Sequence, residues 1–232
     1  MRIVVISPRV APGILTLATW DALREAARVV ATEEDPHVRA IIASGIDVEI
    51  SDDAPTYAND TVWVAPTGDA EWARTVADDL MSGDAGKVEI VFGSYDVPGA
   101  SLIDLVEVMD RLRTECPWTA QQTHMSLAPY VLEEAQETFE ALESGDSEHL
   151  REELGDLLMQ VVFHARIAEE AEGWDVDDVT AGITAKLIRR NPHVFAPETL
   201  DHLPTTPDEI DAQWQRIKQQ ERDGEIPRLH DH

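Results

Sequence analysis

The chemistry in this sequence is concentrated in acidic pairs that sit in apolar company. Leu150–Ala168 reads LREELGDLLMQVVFHARIA, and from Leu154 to Ala165 it is apolar almost all the way round, the pattern of a buried helix. Its side chains with strong polar function are Asp156, Gln160 and His164, at i, i+4 and i+8, with Glu153 one turn before Asp156. At roughly 100° per residue these four fall within about 80° of arc. An ionised carboxylate buried without a partner costs several kcal/mol or more, so a cation or a buried base must compensate. The preceding stretch, Ala128–Leu142 (APYVLEEAQETFEAL), supplies the counterpart. Its expected apolar stripe is Val131, Ala135, Phe139 and Leu142 with Leu132 beside it; Glu134 lies on the border and Glu137 one turn on, while Glu133 and Glu140 face water. A short connection, Glu143–Ser147, forces an antiparallel hairpin that can gather Glu134, Glu137, Glu153 and Asp156. Four anions so close repel unless neutralised, and an all-oxygen donor set suits Mg²⁺, with Mn²⁺ as a substitute, rather than Zn²⁺. The competing reading is an ion pair with Arg113 or Arg166.

Context is what gives these pairs weight. Acids are so frequent that i, i+3 pairs arise roughly nine times by chance, and Glu107/Asp110 and Asp175/Asp178 read as solvated faces. A basic cluster answers the acidic one: Lys186, Arg189 and Arg190, in AKLIRRNPHVF, share a helix face. The helix macrodipole attracts one or two cations to that end, where Asn191-Pro192 stops the helix, but accounts less well for three. A cation site with a separate Lys/Arg cluster is what a Mg²⁺-polyphosphate ligand requires. Trp214 and Lys218, at i, i+4, could clamp a nucleotide, although a Trp is more often core. His124 follows the rigid Cys116-Pro117-Trp118 turn and is either a helix-start hydrogen bonder or a ligand; Cys116 reads as structural.

At these residues the chain resembles the MazG family of nucleoside triphosphate pyrophosphohydrolases. MDRLRTECPWTAQQTH, LEEAQETFEAL, REELGDLLMQVVFHARIA, KLIRRNPHVF and WQRIK carry the resemblance, in the family's order, within residues 101–222. It implies an all-α NTP pyrophosphatase fold that homodimerises to complete its core. It also implies Mg²⁺ on Glu134, Glu137, Glu153 and Asp156, triphosphate contacts at Lys186 and Arg190, and a C-terminal pair at Trp214 and Lys218. Two departures are visible: Thr119 stands where the family commonly has Asp, and Asn191 where His is usual. The implied reaction is Mg-dependent hydrolysis of an NTP or dNTP to the monophosphate and pyrophosphate in nucleotide-pool housekeeping. Glu137, or else Glu133, is the expected proton acceptor. The rival is a catalytically silent acidic helical module serving in regulation. IVVISPRVAPGILTLATWDALREAARVV is similar to the opening of tetrapyrrole methylase domains, with Ser7-Pro8-Arg9 in place of the glycine-rich turn, and reads as a truncated, degenerate version.

The elements expected to position these groups make an α+β chain: a small α/β unit over 1–97, an all-α bundle over 98–222 and a flexible tail over 223–232. Arg2–Ser7, Thr61–Pro66 and Val88–Gly93 read as strands and Thr16–Val30 as a helix. Helices are expected at about 101–114, 123–144, 146–172, 175–190 and 207–222. With 46 acids against 18 bases in 232 residues, the net charge of −28 opposes binding to nucleic acid. No apolar run of eighteen residues exists, so no membrane partner is expected. MRIVVISPRVAPG has too short an apolar core for a secretory signal, and the lone Cys116 permits no internal disulfide; the expectation is a cytoplasmic protein.

Overall fold

The computed structural model describes residues 1–82 and 86–224. The chain divides into two compact units, Met1–Asp104 and Leu105–His232.

The first unit is a five-stranded, wholly parallel sheet of order β3-β2-β4-β1-β5. Its strands are β1 (Arg2–Val5), β2 (Arg28–Ala31), β3 (Val48–Ile50), β4 (Thr61–Val64) and β5 (Glu89–Phe92), and its helices α1 (Leu17–Glu25), α2 (Pro36–Ala43) and α3 (Ala70–Ser82). Successive side chains of β1 go to opposite faces: Val4 and Ile6 pack with Leu23, Val38 and Ile41, whereas Ile3 and Val5 pack with Trp63, Ala73 and Ala77. Burial on both faces is why the central strands β1 and β4 read as continuous apolar runs. The expected helix over Thr16–Val30 stops at Glu25. Beyond it Arg28–Ala31 pairs with β3 and β4, its β-branched Val29 and Val30 buried in the sheet. At the end of β1, Arg9 donates to Asp96 and Asp104, and the Ser7 hydroxyl donates to Asp96.

The second unit is helical. The division between units falls within α4 (Ser101–Glu115), which is followed by α5 (His124–Ser144), α6 (Ser147–Ala171), α7 (Val176–Arg190), the single turn α8 (Pro192–Phe195) and α9 (Pro207–Arg222). The five long helices lie within two residues of their expected limits, and for α5, α6, α7 and α9 the N-caps are written in the sequence. Thr123 with Ser126, and Thr206 with Glu209, form capping boxes. Asp175 and Asp178 form another, so that acid pair is a helix start and not merely a solvated face. Gly145 closes α5 with φ 73° and Asp146 caps α6, so two residues reverse the chain. Residues 225–232 of the expected tail lie outside the described residues. Among the described residues no helix is long and apolar enough to cross a membrane.

One expectation about faces is overturned. The α5 residues turned inward are Leu127, Thr138 and Ala141, with Val131 and Glu134 half-buried on the same stripe; Leu132 is 73% exposed and Phe139 52%. Nor is α6 buried all round: Leu154, Leu158 (43% exposed) and Val161 face outward. Each helix carries apolar residues on more than one face, and the pairing with its neighbour covers a single stripe.

Candidate metal centre

The inward stripe of α5 runs Leu127, Val131, Glu134, Thr138, Ala141, heptad-like, and it carries Glu134 into the interface with α6. Thr138 locks the two helices at this level, its hydroxyl donating to the Glu134 carbonyl at 2.7 Å and lying 3.4 Å from the Glu153 carbonyl. Carboxylate oxygens of Glu134, Glu137 and Glu153 come within 4.8 Å of one another. Asp156 lies outside that trio and is exposed, yet its charge reaches Glu134. Burial, then the charges of Asp156, Glu137, Glu133 and Glu153, holds the Glu134 carboxyl above the ordinary carboxylate range.

Neither arginine named as a partner reaches these acids. Arg113 pairs with Glu170 and donates to the Thr119 and Gln122 carbonyls; Arg166 pairs with Asp110, Glu169 and Glu170. Among the described residues the one basic side chain within ion-pair distance of the trio is His149, whose Nε2 lies 3.0 Å from Glu153 Oε1. An all-carboxylate set from two helices, without a guanidinium, is a donor chemistry that fits a hard divalent cation. His149 was missed in the sequence, although its i, i+4 spacing to Glu153 is visible there.

The rest of the polar stripe serves structure. His164 Nδ1 lies 2.7 Å from His124 Nδ1 with the rings parallel, and the His124 ring stacks in turn on Trp174. His124 is therefore a helix-pairing residue and no member of the acidic cluster. Burial, then the neighbouring His124, pushes the His164 imidazole below its usual value. The two family departures are also local: Thr119 donates to the Leu112 and Cys116 carbonyls, and the Asn191 amide donates to the Leu187 carbonyl at 2.7 Å. Cys116 stands with the backbone N–H and hydroxyl of Thr119, which lower its thiol's pKa.

The basic cluster divides. Lys186 is exposed on α7, whereas Arg189 and Arg190 both bond Glu221, a residue of α9 that sequence reasoning passed over. The Arg190 guanidinium also lies over the Trp214 ring, 5.1 Å from its centroid. Trp214 and Lys218 are both half-buried on α9.

The helix hairpin that carries the acidic trio lies within a segment that matches a known domain. Residues 122–195 match the MazG nucleotide pyrophosphohydrolase domain. The MazG match spans all of α5, α6 and α7, and hence all four acids. A nucleoside triphosphate pyrophosphohydrolase of Mycolicibacterium smegmatis is 42% identical over 170 residues, covering 72% of this chain and 49% of that protein. One of Escherichia coli K12 is 45% identical over 121 residues, 51% of this chain and 44% of that protein. A 26.1 kDa protein of Streptomyces cacaoi is 48% identical over 141 residues, 60% of this chain and 57% of that protein. The chain spans about half the length of the curated relatives it matches.

Proposed function

We propose that this chain hydrolyses nucleoside triphosphates, ribo- or deoxyribo-, to the monophosphate and pyrophosphate. The observation that carries this reading is the trio Glu134, Glu137 and Glu153, gathered from two helices with no arginine among them. Glu134, Glu137 and Glu153, with Asp156 near them, would hold Mg²⁺. Bound there, the metal supplies Lewis acidity toward phosphate oxygens. Water attacks phosphorus, the P–O bond to pyrophosphate breaks, and a carboxylate takes the proton, Glu137 first and Glu133 as its neighbour. Lys186 and Arg190 balance the charge that gathers on departing pyrophosphate, while Trp214 and Lys218 hold the nucleotide. The names of the relatives and the MazG match support the reaction class.

The protein acts as a homodimer. Leu132, Phe139, Leu142, Leu154, Leu158 and Val161 are outward on the α5–α6 hairpin, and an apolar surface of that extent calls for a covering partner. A cytoplasmic place and a role in nucleotide housekeeping go with this reading, and the first unit serves as a degenerate methylase-like docking module. Arg9 and its two aspartates occupy the end of β1 where such a domain carries its glycine-rich turn. The test is incubation with a panel of NTPs and dNTPs plus Mg²⁺, scoring monophosphate and pyrophosphate. Release of both by the native chain, and by neither Glu134→Gln nor Glu153→Gln, is the expected result; no release from any nucleotide overturns the proposal.

A further inference from the structure

Two cations of the proposed nucleotide face are not loose side chains. Glu221 Oε1 lies 2.7 Å from Arg189 Nε, and its two oxygens take Arg190 side-on, Oε2 at 2.6 Å from Nη2 and 3.2 Å from Nε. The carboxylate is 5% exposed and sits on the helix that bears Trp214, two turns further along. Both arginines thus give their Nε atoms to Glu221, and Arg190 gives one terminal nitrogen as well. Among the described residues, the two terminal nitrogens of Arg189 and the remaining one of Arg190 make no hydrogen bond.

We infer that Glu221 is a positioning residue for polyphosphate binding: it fixes Arg189 and Arg190 by their Nε sides, leaves their terminal nitrogens for phosphate oxygens, and through Arg190 sets the plane of the Trp214 indole. The inference rests on the reading of this site as a nucleotide site. A carboxylate that merely competes with phosphate would have to leave when substrate arrives, and that requires an exposed, movable group. Glu221 is buried, belongs to a helix and bonds both partners at once, which is the geometry of a permanent brace. A guanidinium held in place before binding loses less entropy when it bonds an anion. The two accounts differ in sign. Removing a competing anion strengthens triphosphate binding; removing a brace weakens it.

The experiment uses the full chain with Glu221→Gln and Glu221→Asp, 5-fluorotryptophan labelling, and calorimetry with a non-hydrolysable triphosphate analogue and Mg²⁺. The fluorine resonance of Trp214 is assigned with Trp214→Phe. Expected are an affinity loss of about tenfold in Glu221→Gln, a smaller loss in Glu221→Asp, and a shifted or broadened Trp214 resonance in both, free of nucleotide. Unchanged or tighter binding with an unmoved resonance overturns the inference. If Glu221→Gln does not fold, Glu221→Asp decides by the same two readings. If the native chain binds no triphosphate, the nucleotide reading fails; the Trp214 resonance then still decides whether Glu221 sets the indole, a shift supporting it and no shift overturning it.

Discussion

Among single residues, the acidic trio and Glu221 answer to protons in opposite ways. Glu134 is held above its ordinary range by burial and by its acidic neighbours, so ionising it costs the folded state. Divalent-metal affinity should therefore fall as the solution is acidified, because the ion must displace a proton held more tightly than usual; Mn²⁺ titrations between pH 8 and pH 5 check it. Glu221 is pulled from 4.5 down to about 2, chiefly by its hydrogen bonds to Arg190, with Arg189 adding to it. Its contribution to stability is complete above the unfolded value and is lost as pH falls toward 2. The gap in thermal midpoint between the native chain and Glu221→Gln should be widest near neutrality and narrow below pH 4. Near neutrality the substitution should cost about 3–5 kcal/mol, the range for removing one partner of a buried ion pair. For the trio, Glu153→Gln should abolish metal uptake while leaving the helical circular dichroism intact.

At the level of elements, the His124–His164 pair ties the first turn of α5 to α6. Its short Nδ1···Nδ1 bond needs at least one neutral imidazole, and His164 is already pushed below 6.5. The unfolded chain protonates first, so stability should decline as pH drops through 6.5, and His164→Gln should flatten that decline in thermal melts. The helical elements were legible in the sequence because their apolar spacing and their capping residues point the same way, as at Thr123, Asp175 and Thr206. The grouping of Glu134, Glu137 and Glu153 was legible for a related reason: a short reversal between two acidic helices leaves few arrangements. Which face each helix buries was not. Phe139 and Leu132 look like core residues on a helical wheel, and only the rotation of α5 against α6 shows that the stripe through Thr138 and Ala141 goes inside. In the first unit, Ala27 and Val30 continue a helical spacing that sheet pairing overrode at Arg28–Ala31. Glu221 was illegible for another reason: its partners lie thirty residues away on a different helix.

For the molecule as a whole, a net charge of −28 spread over one small chain repels itself, so moderate salt should raise the thermal midpoint by screening. The outward apolar residues of α5 and α6 bear on assembly. Sedimentation should give twice the chain mass for the native protein, and Leu158→Glu, which puts a charge among them, should shift it toward one chain without loss of helicity.

Gly145 and Asp146 act as a ruler. Most surface bends accept an added residue at little cost, but the two helices joined here carry the oxygens proposed to share one ion. A single insertion would turn the following cylinder by about 100° or slide it by about 1.5 Å, scattering a nest that no side-chain change had touched. Length at this bend is therefore as much a part of the proposed chemistry as the acids themselves.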